Sequence, residues 1–228
     1  MVTSDEFHPD SRQNPTHIGI IPDGGRRWSK CHNISLSDSY KLTRNLLAEI
    51  TGNLLDYGFK EISLYLSSKE NFNRIEQEVN AFNEVSEEAF PHEILNIALN
   101  KKLKVKIAGK RELLPLKFQD SIRRVEEQTS AFNSATLNLC IAYNPLDEIE
   151  QALLNNAKHE LFLDKLWINT PVDLVIRTGG ANLLSNFIPL QCAYARLYFI
   201  DKLFNDIKWK DIKDILDKYQ MLERKYGT

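Results

Sequence analysis

The sequence predicts an α/β fold, with a mostly parallel central sheet and helices on both of its faces. Short apolar segments alternate along the chain with longer segments of helical periodicity, which is typical of such sheets. The first short segment is apolar on both faces, like a strand buried within a parallel sheet. The 228 residues, 43% of them hydrophobic and 26% charged, suit one domain with a substantial core.

The first half of the chain contains two units of strand, loop and helix. Residues 18–21 are β-branched and apolar, and the turn-forming residues 22–25 end that strand. Apolar residues then recur at helical spacing up to Gly58, where a glycine can end the helix. The same order is repeated by a strand over 62–66 and a helix over 79–90.

The second half of the chain continues the alternation. Residues 103–107 and 137–141 are predicted strands, and apolar residues within 118–125 mark a helix between them. The remaining elements are a helix, a fifth strand and a charged final helix, over residues 147–158, 173–176 and 210–226.

Composition and charge exclude several classes of protein. A net charge of -2 gives no overall field that attracts nucleic acid, and no apolar run reaches the roughly 20 residues that span a bilayer. Three separated cysteines support neither a disulfide framework nor a zinc site. Residues 1–15 are polar, lack a hydrophobic signal segment and are expected to form a flexible tail. We therefore expect a cytoplasmic protein with a single domain over residues 16–228.

The loop after the first predicted strand carries groups suited to a metal ion and an anion. The Asp23 carboxylate is a ligand of the kind that magnesium takes, and Gly24 and Gly25 leave backbone N–H groups exposed. Arg26 and Arg27 add guanidinium groups suited to phosphate oxygens. Taken alone, this loop fits a solvated turn with two surface arginines better than a binding site.

Two further loops favour a site. Ser68, Asn71 and Arg74 follow the second strand, and Arg177 and Ser185 follow the fifth. Ligands of parallel sheets bind outside the carboxyl ends of the strands. Three loops that bring arginine and hydrogen-bonding side chains to that edge therefore predict a site for an anion.

Three ordered motifs resemble those of the cis-prenyltransferase family, which includes undecaprenyl diphosphate synthase. Residues 17–30, HIGIIPDGGRRWSK, are similar to its opening signature. Residues 64–74, LYLSSKENFNR, look like its S-x-E-N-x-x-R loop, and residues 173–195 look like its closing signature. The resemblance covers residues 17–206 and implies the family fold, prenyl diphosphate substrates, Mg²⁺ and a homodimer.

The resemblance also implies roles for single residues at the first diphosphate. Asp23 matches the magnesium-binding aspartate of the family. Gly24, Arg27 and Arg74 match positions that hold the allylic diphosphate, and Asn71 matches the asparagine beside the leaving group.

At the second diphosphate, the resemblance implies Arg177 and Ser185 as ligands. Trp28, Tyr65 and Phe72 match aromatic positions near the first site, although buried aromatic residues are more often part of the core.

The sequence departs from the family pattern at several positions, including Ala181 and the turn over residues 143–146, and four departures affect the predicted diphosphate and metal sites. Leu36 and Tyr40 stand where ordinary members carry an arginine and a histidine. Leu183 replaces an arginine of the second diphosphate site, and Arg196 replaces a carboxylate that helps to bind magnesium. Arginine cannot bind magnesium, but a guanidinium group at position 196 can neutralise diphosphate oxygens.

Some of these departures are shared with a small branch of the family. Pro22, Arg26, Leu36 and Tyr40 make the chain similar to cyclolavandulyl diphosphate synthase and related irregular couplers, as does the ending 223–227. Those members join two dimethylallyl-type units head to middle.

The resemblance therefore predicts a magnesium-dependent enzyme that ionises dimethylallyl diphosphate or a longer allylic diphosphate and couples it to a second isoprenoid unit by irregular condensation. The predicted catalytic residues are Asp23, Asn71 and Arg74, with Asp23 as the metal ligand. The predicted substrate-binding residues are Gly24, Gly25, Arg26, Arg27, Trp28, Tyr40, Ser68, Arg177, Ser185 and Arg196. Two alternatives stay open: a terpene synthase that cyclises one prenyl diphosphate, and a non-catalytic subunit of a heteromeric cis-prenyltransferase.

Overall fold

The structure is a computed structural model that describes residues 15–155 and 162–221. Within these residues, six strands form one sheet in the order β3-β4-β2-β1-β5-β6, and all neighbouring strands run parallel. The strands are β1 His17–Ile21, β2 Glu61–Tyr65, β3 Leu103–Ala108, β4 Ala135–Cys140, β5 Leu174–Arg177 and β6 Arg196–Phe199.

The described residues also contain seven α-helices. They are α1 Gly25–His32, α2 Leu36–Tyr57, α3 Glu76–Ala89, α4 Leu95–Lys101, α5 Leu116–Thr129, α6 Pro145–Leu154 and α7 Trp209–Gln220. A π-helical segment, Phe90–Ile94, joins α3 to α4.

Local sequence explains the limits of α2, the longest of these helices. The Ser35 side chain caps its start by accepting a hydrogen bond from the Asp38 N–H at 3.0 Å. Gly58 ends it with a φ of 115°, a left-handed conformation that glycine adopts without steric cost. These signals fix the length of a helix that runs beside the sheet.

The register of the sheet aligns the ends of its central strands. Ile21, the last residue of β1, pairs with Arg177, the last residue of β5. Ile20 pairs with Leu64, which is one residue from the end of β2. The loops after β1, β2 and β5 therefore leave the sheet at one edge, as the sequence predicts.

The core lies on both faces of the sheet. On one face, Ile20 of β1 belongs to a cluster with Leu54 of α2 and Phe118 of α5. On the other face, Val175 of β5 belongs to a second cluster with Phe187. The predicted α/β class, with a parallel sheet and helices on both faces, is confirmed.

Three elements, α1, α4 and β6, are missing from the sequence prediction. Helix α1 has the polar sequence GRRWSKCH with Ser29 as its buried residue, so it shows no apolar stripe. Strand β6 has four residues and lies at the sheet edge, where Leu197 and Phe199 are exposed. Short edge strands give little periodic signal.

The predicted helices over 147–158 and 210–226 correspond to α6 and α7. Their ends after residues 155 and 221 lie outside the described residues, as do most of the predicted tail and the ending 223–227. Of the helices that the structure describes, none has both the length and the apolar character to cross a bilayer.

His17, the first residue of β1, is buried, with 1% of its surface exposed. Its Nε2 atom lies 2.8 Å from Ser63 Oγ, and its Nδ1 atom lies 3.1 Å from the Pro171 carbonyl oxygen. Burial lowers the pKa of His17, although the negative charges of Glu61 and Asp173 oppose this shift. The folded protein therefore resists protonation of this ring.

We expect the free energy of unfolding to fall as the pH drops below 6.5, the ordinary histidine value. The unfolded chain binds a proton at His17 in that range, whereas the folded chain binds it only at lower pH. Denaturant unfolding at several pH values measures the slope, which His17→Gln should reduce. His92→Gln, at an exposed position, is the control. An unchanged slope in His17→Gln would contradict this account.

Candidate active site

A cavity of about 590 Å³ lies between the carboxyl edge of the sheet and helices α2 and α3. The loops after β1, β2 and β5 supply its polar lining, which we call the polar end. Helices α2 and α3 and the sheet face supply an apolar lining, which we call the apolar end. The apolar end includes Leu47, Phe82, Val85, Leu137 and Leu139, together with Phe72 from the loop after β2.

The loop after β1 leads directly into helix α1. The Asp23 carbonyl oxygen accepts hydrogen bonds from Thr178 Oγ1 at 2.8 Å and from the Phe204 N–H at 3.1 Å, which fixes the loop. Gly24 is the N-cap of α1, with a φ of 120° and no side-chain cap. A Cβ at this position would lie 2.9 Å from Leu203 Cδ2. The uncapped N-terminus of α1 can therefore bind an anion through its backbone N–H groups.

Asp23 and Arg177 form an ion pair between the ends of β1 and β5. Arg177 Nη2 donates to Asp23 Oδ2 at 2.9 Å, and the Arg177 side chain is 8% exposed. Its Nη1 donates to Ser185 Oγ at 2.7 Å and to the Leu183 carbonyl oxygen at 2.6 Å. Arg27 Nη2 lies 3.4 Å from the other Asp23 oxygen, Oδ1. The carboxylate thus lies between one buried and one exposed guanidinium group.

The backbone after Arg177 adopts strained conformations. Ser185, Asn186 and Ile188 have φ values of 51°, 64° and 30°, in the left-handed region that non-glycine residues rarely adopt. The Tyr65 hydroxyl donates to the Ser185 carbonyl oxygen at 2.9 Å and helps to hold this segment. Strain of this kind concentrates at functional sites, where surrounding contacts maintain it.

The loop after β2 brings Asn71 and Arg74 to the polar end. Asn71 Nδ2 donates to Ser68 Oγ at 2.8 Å. Glu78, near the start of α3, lies 3.1 Å from Arg26 Nη1 and 3.9 Å from Arg74 Nε. Burial lowers the pKa of Arg74, and the charge of Arg26 lowers it further. Glu78 is therefore the counterion that lets these two cations lie close together, a role that phosphate oxygens can also fill.

The structure brings most of the predicted site residues into this cavity. Those that line it are Asp23, Gly24, Gly25, Arg26, Arg27, Tyr40, Ser68, Asn71, Arg74, Arg177 and Ser185. Tyr65 and Phe72, which the resemblance places near the first diphosphate, line it as well.

Trp28 and Arg196 do not line the cavity, and their predicted roles in substrate binding stay predictions. Trp28 stacks on His32 with ring centroids 3.9 Å apart, and its indole N–H donates to Asp206 Oδ1 at 2.8 Å. Arg196 begins β6 opposite Leu174, the first residue of β5. It therefore lies toward the amino edge of the sheet, whereas the cavity is at the carboxyl edge.

Three charged residues of the cavity lining, Lys30, Arg44 and Glu78, were not predicted as site residues. Glu78 follows Arg74 by four residues, a spacing at which opposite charges pair on a helix. Arg44 interrupts the inner face of α2, where Leu47 and Ala48 also line the cavity. A charged residue within a predicted apolar stripe is the sequence signal that could have identified Arg44.

The donor set at the polar end suits a metal ion that is bound partly by its substrate. Within the described residues, no group of three or more His, Cys, Asp and Glu side chains is arranged to hold a metal. Asp23 offers one carboxylate, 33% exposed, beside groups suited to diphosphate oxygens. Magnesium commonly binds one or two carboxylates together with phosphate oxygens and water. The residues present therefore fit Mg²⁺ with a diphosphate, and fit a metal cage of protein ligands poorly.

Comparison with known proteins identifies relatives over most of the chain. Residues 21–227 match the Prenyltransf family, that of undecaprenyl diphosphate synthase. An isoprenyl transferase of Treponema denticola is 35% identical, over 93% of this chain and 97% of that protein. A tritrans,polycis-undecaprenyl-diphosphate synthase (geranylgeranyl-diphosphate specific) of Pyrococcus horikoshii is 31% identical, over 93% of this chain and 87% of that protein.

Among solved structures, the chain is similar to lavandulyl diphosphate synthase from Lavandula x intermedia in complex with dimethylallyl diphosphate. The TM-score is 0.87 at 25% sequence identity, and the match covers 94% of this chain and 99% of that chain.

Gly179 tests the geometry of the polar end, because it has a φ of 82° and a Cβ there would lie 2.6 Å from Arg27 Nη2 and 2.9 Å from the Asp23 carbonyl oxygen. We expect Gly179→Ala to weaken the binding of inorganic pyrophosphate, measured by calorimetry. It should also lower the free energy of unfolding by about 1–3 kcal/mol.

Gly52→Ala is the matched control for this substitution. Gly52 lies within α2, and a Cβ there has nothing within 4 Å. Alanine should stabilise the protein by about 0.5–1 kcal/mol and leave pyrophosphate binding unchanged. Equal pyrophosphate affinity in both variants would show that Gly179 does not shape the site.

Proposed function

We propose that this chain, which belongs to the undecaprenyl diphosphate synthase family of cis-prenyltransferases, couples an allylic diphosphate to a second isoprenoid unit by irregular, head-to-middle condensation. That it is a prenyl-transferring enzyme follows from the family and its named relatives. The proposal concerns the substrates and the way in which they are joined. The observation that carries it is the cationic polar end, with Asp23 between Arg27 and Arg177, at one end of an apolar cavity.

The donor diphosphate binds at the N-terminus of α1 in this proposal. Arg26, Arg27 and Arg74 neutralise its oxygens, and Asn71 lies beside the bond that breaks. The allylic C–O bond breaks, pyrophosphate leaves with the electron pair, and an allylic cation remains. Groups fixed in place before the reaction stabilise this departing charge at little reorganisation cost, which is where such a site accelerates the reaction most.

Members of the family use a divalent metal, and we propose that Asp23 and the diphosphate oxygens hold Mg²⁺ here. When bound, Mg²⁺ acts as a Lewis acid that draws charge from the leaving group. The Arg177 guanidinium orients the Asp23 carboxylate through the 2.9 Å contact to Oδ2.

The aromatic lining suits the cation that forms. Tyr40 lies beside the polar end, since a Cβ on Gly25 would be 3.6 Å from Tyr40 Cε1. Burial raises the pKa of Tyr40 above its ordinary value of 10.0, so its phenol is neutral at neutral pH. Phe82 packs edge to face on Tyr40, with ring centroids 6.4 Å apart. Neutral, electron-rich rings stabilise a nearby cation through cation–π attraction.

Three observations support irregular coupling with short substrates. Leu36 and Tyr40 occupy the positions of an arginine and a histidine of ordinary members, as in the irregular couplers that the chain resembles. Leu183 instead favours the terpene synthase alternative, because it removes one guanidinium from the second diphosphate site, where Arg177 and Ser185 remain. The likeness to lavandulyl diphosphate synthase with bound dimethylallyl diphosphate agrees with a short donor. A cavity of about 590 Å³ also lies within the range of about 300–1,000 Å³ that holds a small ligand.

The homodimer, the cytoplasmic location, the flexible tail over residues 1–15 and the single domain over residues 16–228 stay predictions. A monomeric or heteromeric mass in solution would contradict the homodimer.

We expect Asp23→Asn to lower kcat/KM by at least about a hundredfold, because it removes the charge that holds the metal and orients the leaving group. The asparagine keeps an oxygen that can accept from Arg177 but leaves the buried charge of Arg177 unpaired, so the thermal midpoint should also fall. Activity is therefore compared at a temperature where both proteins are folded. Turnover is measured as release of pyrophosphate.

Asp120→Asn is the control, because Asp120 pairs with Arg123 on the exposed surface of α5. It should leave kcat/KM unchanged. Full activity in Asp23→Asn would refute the role proposed for this carboxylate.

Incubation with single substrates separates the three functions that the sequence leaves open. With dimethylallyl diphosphate alone and Mg²⁺, we expect a branched ten-carbon diphosphate, identified by mass spectrometry before and after phosphatase treatment. A terpene synthase would release a hydrocarbon or alcohol without diphosphate, from geranyl or farnesyl diphosphate. Head-to-tail elongation that requires isopentenyl diphosphate would contradict irregular coupling, and inactivity of the purified chain would favour the heteromeric subunit.

A further inference from the structure

Arg44 is a charged residue that lines the cavity from helix α2 rather than from the loops that form its polar end. Arg44 lies on the inner face of α2, and its side chain is 19% exposed. Leu47, Ala48 and Thr51 follow it along the same face and also line the cavity. A cation in this position is unexpected in the wall of a space that holds hydrocarbon, because a buried charge is costly unless it is paired.

The guanidinium group of Arg44 forms ion pairs with carboxylates at and just after the end of α3. Its Nε atom lies 2.7 Å from Glu93 Oε2, in the π-helical segment after α3. Its Nη1 atom lies 3.4 Å from the Val85 carbonyl oxygen and 3.9 Å from Glu88 Oε2. Arg44 therefore spans from α2 to the end of α3, and the Arg44–Glu93 ion pair connects two walls of the cavity.

The π-helical segment Phe90–Ile94 carries Glu93. A π turn is wider than an α turn and changes the direction in which the following side chains point. Such turns are rare in proteins overall, and many of those that occur lie at functional sites. The same ion pair therefore depends on an irregularity of the backbone next to the cavity.

The position of Arg44 along α2 relates it to the length of a bound chain. Tyr40 and Thr43 lie beside Gly25, at 3.6 Å from a Cβ placed there. Arg44 lies one turn beyond Tyr40, about 6 Å along the helix, and Thr51 lies about 16 Å beyond Tyr40. An extended isoprene unit, with four chain carbons, covers about 5 Å. A five-carbon tail thus ends near Arg44, whereas a longer tail must pass beside it.

We propose that Arg44, held by Glu93, is a specificity-determining residue that limits the length of the prenyl chain the cavity accepts. This inference rests on one part of the proposed function, namely that the cavity holds the prenyl tail. A chain that passes Arg44 removes water from the guanidinium group and competes with its contacts to Glu93 and Val85. Desolvation of an ion pair costs free energy that opposes the gain from burying further methylene groups.

The two partners of the pair give opposite predictions. Arg44→Met keeps a side chain of similar length and removes the charge, so longer tails should bind more tightly. Glu93→Gln leaves Arg44 without its nearest counterion beside the hydrocarbon, so longer tails should bind more weakly. The double variant should behave like Arg44→Met, since the unpaired charge is then absent.

The experiment measures the Kd of dimethylallyl, geranyl and farnesyl thiolodiphosphates by calorimetry in the presence of Mg²⁺. We expect Arg44→Met to bind the farnesyl analogue about tenfold more tightly than the wild type, and the dimethylallyl analogue within about twofold. Product lengths from turnover of the corresponding diphosphates, read by mass spectrometry, should shift in the same direction.

Lys101→Met and Asp56→Asn are the matched controls. Lys101 Nζ of α4 lies 2.7 Å from Asp56 Oδ1 of α2, so this ion pair also joins α2 to a neighbouring segment. Neither of its residues lines the cavity. Both controls should leave the dependence of Kd on chain length unchanged.

Parallel changes in all three affinities, or equal effects of Arg44→Met and Glu93→Gln, would show a structural role only and overturn the proposal. The binding measurement does not require coupling, so it can fail while Asp23 still proves essential for turnover. It can also succeed if the enzyme joins its substrates head to tail.

Discussion

The ion pair between Asp23 and Arg177 is the contact on which the site depends. It joins the ends of β1 and β5, which the sheet register already places side by side. A guanidinium group that is 8% exposed needs such a partner, because an unpaired buried charge is strongly destabilising. The same contact holds the carboxylate at the polar end of the cavity, between Arg177 and the exposed Arg27. Core stability and substrate chemistry are thus supplied by one pair of residues.

The sequence predicts the fold and the composition of the polar end for one physical reason. In a parallel sheet every strand ends at the same edge, so residues that follow different strands must meet there. Asp23, Asn71, Arg74 and Arg177 are far apart in the chain, yet all of them line one cavity. Glycine turns after β1 and β5 were informative because their positive φ values exclude most other residues, as the 82° at Gly179 shows.

The remaining features depend on contacts that local patterns do not encode. Trp28 follows the diphosphate loop directly, but helix α1 turns its ring toward His32 and Asp206. Arg196 belongs to a motif of the family, but β6 places it at the opposite edge of the sheet. Glu78 and Arg44 acquire their positions from the packing of α2 against α3 and from a π-helical segment, which sequence periodicity does not indicate.

The separation of Asp23 and Arg177 along the chain, 154 positions, also bears on how the protein matures. Contacts between distant segments close large loops and form slowly, because the entropy of closure is lost before the contact is gained. During synthesis β1 emerges early, and its partner β5 follows only after β2, β3 and β4. The Asp23 carboxylate therefore acquires its orientation only when most of the polypeptide has left the ribosome, so partially made chains contain the Asp23 loop without the ion pair that orients it.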